Sequence, residues 1–161
     1  MKNKMKTAAL VRAAMFAALY VVLTLLSNLL GLASGAIQLR LSEVLCILPI
    51  FFPEAIVGLT LGCLISNIIT GCILPDIIFG TLATLIGAFG TYAFKKHKFI
   101  ATLPPVVSNM IIVPLVLKYA YRLGGAWWYM VITVGIGEFV ACSLLGLLFY
   151  KMMSKNRRFF E

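Results

Sequence analysis

The stretch "LSEVLCILPIFFPEAIVGLT", residues 41–60, decides how this chain folds. It is apolar on both sides of Pro53, with Glu43 near its start and Glu54 just past the proline. Proline removes a backbone donor and clashes with the carbonyl four residues back, so it either kinks one helix or separates two. One kinked helix here gives a chain of five apolar spans; two short elements give six.

Composition sets the frame for that choice. Of 161 residues, 62% are apolar and 12% charged, and the mean hydropathy is +1.05. Soluble domains carry about a quarter charged residues, so the expected class is an all-α integral membrane protein in a lipid bilayer. A chain of this length makes a single transmembrane domain over 1–161, with basic tails at 1–6 and 153–161. The apolar runs are 7–32, 41–52, 54–71, 76–94, 100–122 and 127–152. A spanning α-helix needs about 20 residues. The run 41–52 is too short for that alone, and 54–71 is a little short.

Charge placement selects six spans. With the N-terminus inside, the inner segments hold Lys2, Lys4, Lys6, Arg12, Lys95, Lys96, Lys98, Lys151, Lys155, Arg157 and Arg158, which is eleven of the fourteen Lys and Arg. Arg40, Lys118 and Arg122 stay outside. Merging the runs around Pro53 inverts the balance, to six inside and eight outside. Basic residues concentrate on the cytoplasmic side, so a bundle of six transmembrane helices with a short second one is expected, both termini cytoplasmic. The first run is too long for the apolar part of a signal peptide and lacks a convincing cleavage site. The net charge of +9 sits at the edges of the apolar runs, which excludes a nucleic-acid-binding face. Cys46, Cys63, Cys72 and Cys142 lie inside apolar runs with no CxxC pair, as small buried hydrophobes do. Without an internal repeat, an inverted-repeat transporter lacks support.

The polar residues inside the apolar runs are the candidates for function. Glu138, in "VGIGEFVACSL", lies near the middle of the last span, where an acid is expensive and marks a site or pathway more often than a structural hydrogen bond. Asp76 follows Pro75, and Glu54 follows Pro53; both also suit helix starts. Asn67 and Asn109 can bind a ligand or join helices. The segment "IQLRLS", 37–42, alternates apolar and polar, so it reads as extended, with Gln38 and Arg40 on one side and Ile37, Leu39 and Leu41 on the other. Ser42 can cap the second helix, with Glu43 in its first turn. An Arg40–Glu43 pair there can close a pocket or remain a solvated loop. In "TAALVRAAMFAALYV", Ala9, Ala13 and Ala17, with Ala14 and Ala18, recur every fourth residue and let another helix approach, within this chain or on a partner. There is no nucleotide-binding loop, no metal-spaced cluster and no nucleophile with a base. The one histidine, His97, stands in a basic turn. No catalytic residue, metal or cofactor is expected.

The segments "IQLRLSEVLCILPIFFPEAIVGLTLGCLISNIITG", "DIIFGTLATLIGAFGTY", "LPPVVSNMIIVPLVL" and "VGIGEFVACSLLG" resemble the QueT family. That family supplies the substrate-binding S component of energy-coupling factor (ECF) transporters for queuosine precursors. The resemblance runs in order from Ala8 to about Tyr150. It implies capture of a 7-deazaguanine from outside a bacterial plasma membrane. It also implies a membrane coupling protein and two cytoplasmic ATPase subunits as partners. Among its residues Gln38, Arg40, Glu43, Asn67, Asp76, Asn109 and Glu138 are the candidate substrate contacts, and the alanine stripe is the candidate docking face. Carboxylates suit the donor-rich edge of a deazaguanine, or the cation of its aminomethyl form; amides and arginine suit its O6. Trp127, Trp128 or Tyr92 could stack on the base. The rivals are an S component for another vitamin, a small proton-coupled multidrug-type exporter, and a membrane enzyme working through paired carboxylates.

Overall fold

The computed structural model describes residues 2–32, 38–122 and 124–155, with the side chains of 2–5 excepted. All regular structure among them is helical. α1 is Lys2–Leu29, α2 Ala55–Ile69, α3 Leu74–Ala93 and α4 Leu103–Tyr119. α5, Trp127–Glu138, runs through a π-helical stretch, Phe139–Leu145, into α6, Gly146–Lys155; together they make one apolar span. Four helices are long and apolar enough to cross a membrane, and Leu41–Ile50 and Ala55–Ile69 are shorter apolar helices. The protein is therefore a multi-pass membrane protein of six helical segments with a short second one.

Pro53 separates the second and third segments: the backbone turns over residues 51–54 before α2 begins. The second segment is not an α-helix. Leu41–Ile50 is a ten-residue 3-10 helix, unusually long for that form. At about 2 Å of rise per residue it reaches some 20 Å, farther than ten residues of α-helix would. Its three-residue turn also stacks Cys46 directly on Glu43. Nearly every residue from Ser42 to Pro49 is buried. The expected Ser42 cap does not form. Arg40 occupies the cap position with no side-chain capping bond, and the Ser42 hydroxyl instead accepts a 2.9 Å bond from Thr24 Oγ1.

The long helices pack in chain order, α1 on α2, α2 on α3, α3 on α4 and α4 on α5. The 3-10 helix is the hub: it touches α1, α2, α3, the π stretch and α6. Small residues set the seams. A Cβ at Gly62 would stand 2.9 Å from Ala17 O, and one at Gly87 would stand 2.7 Å from Pro105 Cα. Ala13 and Ala17 are turned inward against Gly58 and Gly62 on α2, the packing within the chain that their spacing also allows. Ala9 is half-buried, and Ala14 and Ala18 are exposed.

The start of α1 and the end of α6 lie at one end of the bundle. There Arg12 pairs with Glu54 across α1 and the start of α2, the Phe51 ring stacks 5.0 Å from Tyr150, and Lys98 reaches to 5.9 Å from the Tyr150 ring. The Glu54 carboxylate is thus held by an arginine and caps nothing. At the opposite end, α1 and α2 each stop at a glycine in the left-handed region, Gly31 (φ 69°) and Gly71 (φ 74°). Both ends close with the same pair of backbone bonds, Leu32 N to Ser27 O with Gly31 N to Asn28 O, and Cys72 N to Asn67 O with Gly71 N to Ile68 O. These stops leave Asn28, Asn67 and Thr70 on the rim of the bundle.

Candidate functional site

A polar cavity of about 590 Å³ opens at that rim. Its polar wall is Asn28 and Thr24 from α1, Gln38 and Arg40 from the extended segment, Asn67 and Thr70 from α2, Asp76 from α3, and Tyr121 after α4. Val113 and Leu117 of α4 give it an apolar side. The size suits a small ligand, and a concave site with a few converging polar groups is the usual form of a binding pocket.

The backbone places each group. Arg40 is extended (φ −99°, ψ 111°), and both Gln38 and Arg40 reach the cavity while Leu39 does not, as the alternation predicts. Leu39 N bonds Leu32 O at 3.0 Å, and Leu41 N donates to Ser27 Oγ at 2.8 Å. These two bonds anchor the segment to the end of α1. Ile37 lies outside the described residues. Gly80 makes room for the next two groups: a Cβ there would stand 3.1 Å from Asn67 Nδ2 and 3.5 Å from Asp76 Oδ1. Asp76 does not cap α3, whose cap residue is Ile73; its Oδ2 accepts a 3.0 Å bond from the Tyr121 hydroxyl. Burial, and after it the Asp76 carboxylate, push that hydroxyl up to about 12, so it remains a donor to Asp76.

Glu43, Asn109 and Glu138 do not line this cavity. They lie beneath it in a second, fully buried cluster. The Tyr20 hydroxyl donates to Glu43 Oε1, the Cys46 thiol donates to Glu43 Oε2 at 3.0 Å, and the Cys142 thiol reaches Glu138 Oε2 at 3.5 Å. Asn109 is a further hydrogen-bonding neighbour of Glu138. The π-helical stretch begins immediately after Glu138 and brings Cys142 within 3.6 Å of the Glu43 carbonyl. Glu43, Cys46 and Cys142 offer ligand atoms within 4.8 Å of one another, close enough for a metal. Their hydrogen bonds close on one another and on Tyr20 and Glu138, so the cluster is complete as a hydrogen-bonded plug between the hub helix and the last span. Arg40 joins the two layers. It acts electrostatically on Asp76 in the wall and on Glu43 and Glu138 below.

Four of the expected site residues, Gln38, Arg40, Asn67 and Asp76, therefore meet in one cavity. Reasoning from sequence missed Asn28, Thr24, Thr70 and Tyr121. The signal for Asn28 was present: "LSNLLG", 26–31, places an Ser–Asn pair and a helix-ending glycine in an apolar run. The expected stacking aromatics are elsewhere. Trp127 and Trp128 are exposed at the start of α5, and Tyr92 carries Lys95 over its ring at 4.2 Å near the opposite end. Tyr121 is the aromatic of the pocket wall.

A multi-pass helical bundle with a polar pocket at its rim defines a membrane protein able to hold a small solute. The sequence model of the QueT transporter family matches residues 10–155, and the chain belongs to that family. A curated relative, the queuosine precursor transporter QueT of Lactococcus lactis subsp. cremoris (strain MG1363), is 38% identical over 97 residues. That match covers 60% of this chain and 57% of the relative. No solved structure matches the chain.

Proposed function

We propose that this protein captures a 7-deazaguanine queuosine precursor in the rim cavity, as the substrate-binding subunit of an ATP-driven ECF importer. The observation that carries the reading is the convergence of Arg40, Gln38, Asn28, Asn67 and Asp76 on one cavity in a member of the QueT transporter family. A deazaguanine offers a donor edge and an O6 acceptor. Asp76 is the carboxylate for the donor edge or for an aminomethyl cation; Arg40 and the amides supply donors for O6. The Tyr121 ring is placed to contact the base. Glu43 and Glu138 act from below, through their charge on Arg40, instead of by touching the ligand.

The chain contains no nucleotide-binding loop, so the energy must come from partner subunits: a membrane coupling protein and two ATPases. The exposed Ala14 and Ala18 leave a close-approach stripe on α1 for the coupling protein. The inner position of eleven basic residues supports cytoplasmic termini in the bacterial plasma membrane, which puts the cavity on the outside.

The native cysteines give the test. Cys46, Cys63 and Cys142 are buried, while Cys72 is half-buried and lines the cavity. A membrane-impermeant maleimide added to intact cells is expected to label Cys72, and a 7-deazaguanine is expected to protect it. Cys72→Ser should abolish the labelling. Reaction only after the cells are opened would overturn the orientation; labelling untouched by any deazaguanine in a panel would overturn the site. Co-purification of ATPase subunits from native membranes tests the importer assignment separately.

A further inference from the structure

The end of the bundle where α1 starts and α6 stops holds a second cavity, of about 420 Å³, lined by Lys95, Lys96, His97, Lys98, Phe99, Ile100 and Tyr150. Aromatic rings flank two of its cations: Lys98 Nζ lies 5.5 Å from the Phe99 ring centre and 5.9 Å from that of Tyr150, and Lys95 Nζ lies 4.2 Å from that of Tyr92. No carboxylate answers them among the described residues. Glu54, the acid at this end, is taken by Arg12, and Glu43, Asp76 and Glu138 belong to the plug and the rim. A concave cluster of unneutralised lysines is built for an anion.

An apolar cleft is lined by the residues that flank this basic turn in the chain, Phe94 before it and Pro104 after it. It runs along the α3–α4 seam from Phe94 and Pro104 past Phe89 and Val107 to Ile86 and Ile112, with a volume of about 720 Å³. At Gly90 the two helices close together: a Cβ there would stand 2.4 Å from Pro104 Cβ. A further cleft shares Ile86 and Ile112 and carries the seam on to Tyr119. Phe89, Val107 and Ile111 are exposed along it, in the part of the surface that faces hydrocarbon. Basic cavity and apolar groove are consecutive in the chain, joined at Phe94–Lys95 and at Ile100–Pro104.

We propose that the α3–α4 seam binds an anionic phospholipid, with its phosphate headgroup on Lys95, Lys96 and Lys98 and one acyl chain in the groove. Charge chooses the occupant: a neutral helix from a partner would fill the groove but leave the lysines unanswered, whereas a phosphate with an attached acyl chain satisfies both parts. Basic residues at the cytoplasmic surface attract anionic headgroups, and here a pocket and a groove turn that general attraction into a defined site. It lies at the opposite end of the bundle from the rim cavity and is independent of what that cavity binds.

The full chain, purified in detergent and stripped of lipid, provides the test. Native mass spectrometry and thermal unfolding would be followed while dioleoyl phosphatidylglycerol, dioleoyl phosphatidylcholine or inorganic phosphate is added. Phosphatidylglycerol is expected to remain as a single bound molecule and to raise the unfolding temperature. Lys95→Gln and Lys98→Gln should each weaken its binding roughly fivefold, and Val107→Trp should block the groove. Deazaguanine binding at the rim should not change in the lysine variants. Equal effects of phosphatidylcholine would reduce the seam to ordinary lipid contact and overturn the proposal. Full stabilisation by inorganic phosphate alone would overturn it by showing a headgroup site with no use for the groove. Unchanged phosphatidylglycerol binding in the lysine variants would overturn it even if Val107→Trp fails to fold.

Discussion

Arg40→Lys is expected to weaken deazaguanine binding at least about tenfold, ~1.4 kcal/mol, in protein that folds and keeps its thermal stability. Arg40 stands between two sets of carboxylates, Asp76 in the cavity wall and Glu43 with Glu138 below. Its charge balances them; its planar fork presents donors to the cavity. A lysine retains the positive charge, so the acids beneath stay compensated, but it is a point charge that lacks the fork. Binding falls while the fold survives. Arg40→Ala removes both functions. Binding is expected to become undetectable, and stability to fall as well, by about 1–3 kcal/mol, because the buried Glu43 beneath loses part of its balancing charge. Calorimetry on detergent-purified protein, beside thermal unfolding of each variant, separates the two effects. Wild-type affinity in Arg40→Lys would mean that only charge matters at this position. Wild-type affinity in Arg40→Ala would remove the residue from the site.

Much of the fold was legible because it rests on effects that a linear sequence records. Apolar runs, their lengths and the lysines at their edges gave six segments, and Pro53 parts the second from the third as the charge balance required. The form of the second segment was not legible. Whether ten largely apolar residues wind as α or 3-10 depends on the span they must cross and on the neighbours they must meet, and Leu41–Ile50 meets helices that come both before and after it in the chain. The π stretch is hidden for the same reason. Nothing in "FVACSLL" marks a wider turn; it becomes intelligible once Cys142 is seen beside Glu138 and the Glu43 carbonyl.

The candidate site divides along the same line. Polar residues in apolar surroundings are visible as exceptions, so Arg40, Asn67, Asp76 and Glu138 all stood out. Which of them share a cavity is a question of three-dimensional register. Asp76 and Tyr121 are 45 residues apart and meet only because α3 begins, and the antiparallel α4 ends, at the same rim. The alanine stripe shows the limit most directly. Spacing of four put Ala13 and Ala17 on one face, but it could not say whether that face would meet a partner or, as the structure has it, the glycines of α2.

Glu43→Ala is expected to destabilise the fold by about 3–5 kcal/mol, more than any single change in the cavity wall. The carboxylate is 1% exposed, accepts hydrogen bonds from Tyr20 and Cys46, and lies on the hub helix that touches α1, α2, α3, the π stretch and α6. Its loss strands the Tyr20 hydroxyl at 1% exposure and takes from Arg40 one of its balancing charges. Glu43→Gln keeps an acceptor for Tyr20 and should lose less, about 1–3 kcal/mol. The diagnostic is the double variant. If Arg40 and Glu43 are balanced against each other, Arg40→Ala combined with Glu43→Ala should be less destabilised than the sum of the two single changes, because neither charge is then left without its counterpart. Unfolding titrations of the four proteins in one detergent would measure that difference. Strict additivity would show that Glu43 holds the hub through Tyr20 and Cys46 alone, and that Arg40 answers only to the cavity above it.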